Sequence, residues 1–340
     1  MKIGIIAHSV FPIKQPYLGG LERFIHQLAT KLADEGLDIT LYCHKDSADG
    51  PYKKIVFTDF EYKFDNNYDS LNLDYLSLIE ELKVNSYDLL HNNSLNSDIL
   101  SLSKYNTPFL TTIHVPPIAG FEQSVYENFF NKNSFYNIIS SSCLKSWGAL
   151  DRCKVIHNGI DVNEWNHNLG ERKGAIWFGR ICPEKGVENS IVAAKEAGIH
   201  LTVAGIINNH DYFNRLKFFY KDYFTYIGLC NHQELNKLIA TSKVFIKAPV
   251  WEEPFGLVYL ESLACGTPIA TYNSNIAKEL LNNKVARISN SNPQSLSIAI
   301  NRAVNLNKED CRLHVKENFS LSTMVNNYIE YYTEILNCIR

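Results

Sequence analysis

Along the chain, short apolar runs rich in β-branched residues alternate with stretches in which apolar positions return every third or fourth residue. That alternation predicts strand–helix–strand units around parallel sheets covered on both faces. The first run is Lys2 to Ala7. After a loop rich in Pro and Gly (Phe11 to Gly20), Leu21, Phe24, Ile25, Leu28, Ala29, Leu32 and Ala33 recur at helical spacing, and Gly36 ends them. Further strands are predicted at Ile39 to Cys43, Leu89-Leu90, Phe109 to Ile113, Tyr136 to Ser140 and Lys154 to Ile156. The polar, aromatic segment Gly50 to Asn72 shows no pattern that places it. A second series comprises Ala175 to Phe178, Leu201 to Ala204, Phe224 to Ile227, Val244 to Ile246 and Pro268 to Thr271, with helical stretches between. Asp161 to Lys173, polar and aperiodic, separates the series and reads as a linker. The expected architecture is α/β: two doubly wound domains in tandem, 1–160 and 161–320. A helical segment, 321–340, closes the chain and could pack on either domain.

Length and charge sharpen this picture. The 340 residues suit about two domains. With 33 Lys+Arg against 36 Asp+Glu, the net charge of −3 excludes a broad basic surface for nucleic acid. The longest apolar runs, Val84 to Leu90 and Lys243 to Val250, fall far short of the roughly 20 residues that span a bilayer. Met1 to His8 has no secretory hydrophobic region. The eight cysteines form no C-x-x-C pair and no zinc-finger spacing, so reduced thiols in a cytoplasm are the simplest expectation. The inner face of a membrane is the alternative place. The polar positions of the first helix (Glu22, Arg23, Gln27, Lys31, Asp34, Glu35) carry no basic stripe to support it.

In open α/β sheets ligands bind beyond the carboxyl ends of the strands. His8, His44, His91, His114 and His157 fall at such ends, where an ordinary hydrogen-bonded histidine is also at home. His114 stands out, because it ends an apolar strand just before Val115-Pro116-Pro117. Gly19 and Gly20 precede the first helix, where free N–H groups suit an anion, although the pair also suits an ordinary turn. Arg180 and Lys185, in the loop Gly179 to Gly186, place two cations at a strand end and could neutralise a diphosphate. The densest signal is Trp251-Glu252-Glu253-Pro254-Phe255-Gly256-Leu257-Val258-Tyr259-Leu260-Glu261. It puts Glu253 just ahead of a predicted helix, Leu257 to Ala264, and Glu261 about a turn inside it. A phosphate at that helix end flanked by two carboxylates, or simply a helix with an acidic first turn, would each produce this pattern.

Gly-Gly-x-Glu before the first helix, His-Asn-Gly-Ile-Asp at 157–161, Gly-Arg-x-x-x-Glu-Lys-Gly, and Glu-Pro-Phe-Gly-x-x-x-x-Glu followed by Ala-Cys-Gly-Thr-Pro resemble glycosyltransferase family 4, in order and over nearly the full length. The resemblance implies the GT-B fold, two Rossmann-like domains facing across a cleft, and a retaining, metal-independent hexosyltransferase with no cofactor. Its donor would be a nucleotide-sugar, with UDP favoured, and its acceptor a glycan, a lipid-linked species or a small molecule in glycan biosynthesis. Carried over, Glu261 would hold the ribose and Glu253 the donor-sugar hydroxyls. Backbone N–H groups at Phe255, Gly256 and Leu257 would meet sugar and phosphate. Arg180 and Lys185 would neutralise the diphosphate, Gly19 and Gly20 would lie by the phosphates, and His114 would position the donor sugar and acceptor. Base contacts are expected near Tyr226 to Leu229. One departure is Tyr272-Asn273-Ser274-Asn275, where many relatives carry Gly-Gly. The rival expectations are a catalytically silent nucleotide-sugar-binding subunit and a GT-B-like epimerase.

Overall fold

The structure, a computed structural model, describes residues 1–17, 19–59, 69–148, 150 and 152–339. The chain divides into two units, Met1–Asn158 with Leu321–Arg340, and Gly159–Ser320.

Among the described residues the first unit is built on a seven-stranded sheet. Its strands are β1 (Lys2–Ile6), β2 (Asp38–His44), β3 (Lys53–Thr58), β4 (Leu89–Asn92), β5 (Phe109–Ile113), β6 (Ser134–Ile138) and β7 (Lys154–Val155), arranged β3-β2-β1-β4-β5-β6-β7. Every neighbouring pair is parallel. Helices cover both faces, so inner strands such as β5 are buried along their whole length, which is why they read as short unbroken apolar runs. β6 ends two residues earlier than predicted, because Ser140 turns out of the strand. Its side chain accepts a hydrogen bond from Cys143 N at 2.9 Å and caps the helix Ser141–Trp147. Within the unplaced segment Gly50 to Asn72, β3 forms an edge strand with partly exposed side chains, and the helix Asp69–Val84 begins. Residues 60–68 of that segment lie outside the described residues.

The C-terminal helix Leu321–Ile339 belongs to this unit. Its Met324, Val325, Tyr328, Tyr331, Tyr332 and Ile335 share a core with Phe24, Ile25, Leu28 and Leu32 of the helix Gly20–Asp34. A buried polar chain fastens it to the sheet. His91 on β4 meets Tyr332 Oη through Nδ1 at 2.7 Å and Thr112 Oγ1 through Nε2 at 2.6 Å. Thr112 donates to Asn137 Oδ1 at 2.7 Å, and Asn137 donates to Tyr328 Oη at 2.9 Å. Each of these groups is removed from water and needs its partner.

The second unit holds β8 (Ala175–Phe178), β9 (Leu201–Ala204), β10 (Phe224–Gly228), β11 (Val244–Lys247), β12 (Ile269–Tyr272) and β13 (Ala286–Ser289). They form a six-stranded parallel sheet ordered β10-β9-β8-β11-β12-β13. The short edge strand β13 is absent from the sequence expectation, since four residues with two half-exposed side chains carry little apolar signal.

Asp161 to Lys173, expected as a linker, is instead packed into this unit. Asp161 caps a short turn by accepting from Asn163 N at 2.9 Å, and Trp165 is fully buried. Arg172 donates to the carbonyls of Gly266 and Cys265 at 2.7 and 2.8 Å. The segment is aperiodic because side chains, rather than a helix or strand, satisfy its backbone and anchor it. The chain passes between the units after Asn158 and again after Ser320.

Candidate functional site

In the second sheet the strand order reverses between β8 and β11, the place where an open α/β sheet leaves a crevice beyond its carboxyl ends. The loops leaving these two strands are the two that carry the predicted chemistry. They are in direct contact: Val250 N donates to Glu184 O at 3.0 Å, and Gly186, with φ +69°, lies so close to Ala248 that a Cβ there would meet its carbonyl oxygen at 1.6 Å. Only glycine fits both the backbone angle and the gap.

This contact brings Lys185 to Glu253. Lys185 Nζ lies 3.0 and 3.1 Å from the two carboxylate oxygens and 4.6 Å from the centre of the Trp251 ring. A second cation reaches the same carboxylate, as Lys247 Nζ at the end of β11 stands 2.8 Å from Glu253 Oε1. Lys247 and Glu253 are both about 5% exposed. Burial alone would raise the Glu253 carboxyl, but Lys247 and Lys185 overcome that cost and hold it at about 2. Burial lowers Lys185 from the usual lysine value, with Glu253 working against the shift and Lys247 adding to it. The carboxylate is therefore ionised at any working pH, and two lysine side chains face this one carboxylate.

The helix Leu257–Ala264 starts beside this cluster. Gly256 precedes it in the left-handed region at φ +85°, where it offers no side chain to cap the first N–H groups. Phe255 is buried next to it, and Glu261 is buried one turn into the helix. The opposite end of the helix is clamped by two guanidinium groups: Arg172 on Cys265 and Gly266, and Arg312 on Ala264 O at 2.6 Å. Cations at that end complement the helix dipole and leave its positive end to the Glu253 side. Arg180 is exposed in the same loop as Lys185. Tyr226 donates to Gly205 O at 2.9 Å, and Ile227 and Leu229 beside it are exposed. In the departing segment after β12, Glu252 Oε1 accepts from Ile276 N at 3.1 Å.

His114, Gly19 and Gly20 belong to the first unit. His114 follows β5 and is buried, with Nε2 3.0 Å from Asn93 Oδ1 and the Phe24 ring 4.9 Å away edge-on. Burial lowers it to about 3, with His8 adding to the shift, so His114 is a neutral imidazole. Since a carbonyl oxygen only accepts, Nε2 carries the proton and Nδ1 keeps the lone pair. His8, after β1, approaches Glu22 Oε1 to 2.9 Å. Gly19 and Gly20 are exposed at the start of the helix Gly20–Asp34, which has no side-chain cap. Of the other strand-end histidines, His91 is locked in the polar chain under the C-terminal helix, and His44 Nδ1 accepts from Asp46 N at 3.1 Å in a turn. The sequence reading missed Lys247 and Asn93. A lone lysine inside the apolar run 243–250 was the available signal for the first, whereas nothing local marks the second.

Comparison with known proteins agrees with this layout. The description "Glycosyltransferase Family 4" matches residues 18–164, and "Glycosyl transferases group 1" matches residues 160–318. The putative glycosyltransferase YtcC of Bacillus subtilis (strain 168) is 22% identical over 308 residues, 76% of each chain. Among solved structures, sucrose-phosphate synthase of Thermosynechococcus elongatus superposes with a TM-score of 0.82 over 99% of both chains at 17% identity. Anabaena HepE, solved in complex with UDP and glucose, superposes with a TM-score of 0.77 over 98% of this chain and 100% of its own at 18% identity.

Two Rossmann-like parallel sheets in succession, with these structural neighbours, define an α/β protein of GT-B architecture. Both family descriptions together span residues 18–318, in chain order. The chain belongs to the group 1/family 4 glycosyltransferases and is an enzyme of that class. Among the described residues no helix is long and apolar enough to cross a membrane, and no three His, Cys, Asp or Glu side chains are grouped to hold a metal ion.

Proposed function

We propose that this glycosyltransferase moves a hexose from a nucleoside diphosphate sugar, UDP-linked in the first instance, to the hydroxyl of a glycan, lipid-linked or small-molecule acceptor, with retention at the anomeric carbon and without a metal. The observation that carries the reading is the Lys185–Glu253–Lys247 cluster beside the uncapped start of the helix Leu257–Ala264, at the reversal of strand order. Lys185 and Arg180 take the place a metal would fill, countering charge that grows on the diphosphate as the bond to the sugar breaks. Glu253 accepts from the sugar hydroxyls and Glu261 from the ribose, while N–H groups of Phe255, Gly256 and Leu257 meet sugar and phosphate. The acceptor oxygen attacks on the face from which the diphosphate leaves, and its proton passes to the leaving diphosphate oxygen. His114 is neutral, so its part towards sugar and acceptor is hydrogen bonding rather than charge, and the helix start at Gly19 and Gly20, with no side-chain cap, suits an anion. The base packs near Tyr226 to Leu229. The preference for UDP is supported by HepE, solved with UDP and glucose.

The test incubates the protein with UDP-, GDP- and ADP-glucose in EDTA and follows nucleotide release. Release in EDTA supports the reading; release that appears only when a divalent metal is restored removes its metal-free part. Glu261→Ala is expected to weaken nucleotide binding at least about tenfold, the loss of a charge-assisted hydrogen bond. Lys185→Ala should mainly reduce turnover, and unchanged kinetics in both variants would overturn the assignment of the site.

A further inference from the structure

Lys247 is unusual for a strand residue of an α/β sheet. It ends β11, whose other residues Val244, Phe245 and Ile246 are fully buried, and it is itself only 4% exposed. An ammonium group rarely goes so deep without a partner. Its partner is Glu253 Oε1 at 2.8 Å, and the Tyr259 ring centre stands 5.8 Å from Nζ.

The geometry raises a question of charge that Lys185 alone cannot answer. If Lys185 and Glu253 were a simple pair, they would neutralise each other, and the loop would offer a diphosphate little attraction. A phosphate drawing Lys185 towards itself would also strip a buried carboxylate of its counter-ion, which is strongly unfavourable. A second, buried cation removes both difficulties. Lys247 stays with Glu253 while Lys185, 14% exposed and reaching from a loop, is left to the incoming anion.

We propose that Lys247 is a positioning residue for hexose recognition: it holds Glu253 as an oriented carboxylate for the sugar hydroxyls and thereby releases Lys185 to the diphosphate. The inference rests on the donor reading above and names what makes that site work with both a sugar and a phosphate present. The charged and titratable groups facing Glu253 are Lys247 from β11, Lys185 from the loop after β8 and Tyr259 from the helix Leu257–Ala264, with Glu252 its neighbour in the chain. Removing Lys247 removes the nearest cation, so burial is opposed by Lys185 alone and the carboxyl titrates higher; once a diphosphate draws Lys185 away, Glu253 is left without a cation to orient it.

The test compares the affinities of UDP-glucose and UDP by calorimetry at pH 8, where the terminal phosphate of UDP is ionised, for the wild type, Lys247→Met and Lys247→Arg. GDP- or ADP-glucose and the matching diphosphate replace them if the wild type prefers those. The ratio of the two affinities isolates the contribution of the hexose. In Lys247→Met it should fall at least about threefold below the wild-type ratio, because the diphosphate of either ligand takes Lys185 and leaves Glu253 without the cation that orients it towards the hydroxyls. Lys247→Arg, which keeps the cation, should recover most of the loss. A general disturbance of the fold would weaken both ligands together and leave the ratio unmoved. Should Lys247→Met fail to fold, Lys247→Gln removes the charge while keeping a hydrogen-bond donor and takes its place. A wild type that binds hexose donors with Lys247→Met keeping the wild-type ratio overturns this inference alone. A wild type that binds no nucleotide sugar overturns the donor reading along with it.

Discussion

His91 and His114 are both buried, and desolvation keeps each neutral down to about 3, with His114 adding to the shift of His91 and His8 to that of His114. In the unfolded chain each would take up its proton near 6.5. Their folded values lie below the unfolded ones, so the stability linked to them is complete above pH 6.5 and is lost as pH falls from 6.5 towards 3. Each can contribute a slope of up to about 1.4 kcal/mol per pH unit in that window. Glu253 works lower down: its folded value of about 2 sits below the ordinary carboxylate range, so its contribution holds above that range and fades only between there and about 2. Urea unfolding at pH 7 and pH 5 should therefore show a clear drop in stability, and His114→Gln, which keeps a donor for Asn93, should reduce the drop by roughly half of the part due to these two histidines. An equal pH dependence in wild type and variant would show that His114 is not held neutral.

At the scale of elements, the helix Leu257–Ala264 is held from its far end. Arg312 donates to Ala264 O at 2.6 Å, to Trp165 O at 2.5 Å and to Val162 O at 2.9 Å, so one side chain holds three carbonyls in two separate stretches of backbone. Arg312→Ala leaves these carbonyls without the guanidinium and is expected to cost about 2 to 4 kcal/mol, read as a lower urea midpoint with an unchanged slope. Lys should restore only part of this, since a single ammonium cannot match the planar fork. This clamp also marks the limit of what the sequence could disclose. The inner strands and the long helices were legible because burial on one face or two imposes a period, and Glu253, Gly256 and Glu261 were legible because they sit within nine positions of each other around a helix start. The edge strands β3 and β13 were not, as half-exposed side chains blur the period. Arg172 and Arg312 carry no local pattern either, because their partners are backbone carbonyls up to 150 positions away. The pairing of Lys185 with Glu253 spans 68 positions, and Lys247 was hidden inside a run that reads as apolar.

Across the whole molecule, the chain completes its first unit only with its last helix, after the second unit has been made. From periodicity alone Leu321–Ile339 could serve either unit. What decides is the buried side chains it meets: the core of the helix Gly20–Asp34 and the polar groups of β4, β5 and β6. Ending the chain after Ser320 would withdraw six buried side chains, at about 1.5 to 3 kcal/mol each, or about 9 to 18 kcal/mol in all. That is as large as the whole stability of a typical domain. It would also strand His91 and Asn137, whose tyrosine partners would be gone. The second unit keeps all the side chains of its own core, Ala175 and Trp177 through Ala303. Hydrogen exchange on the truncated chain should accordingly find the amides of β1, β4 and β5 exchanging freely while those of β8, β11 and β12 stay protected, and UDP should still raise the melting temperature of what remains folded if the donor site is where we place it. Protection of β1, β4 and β5 at wild-type levels would mean that the first unit folds without the helix, and that the polar chain beneath it finds other partners.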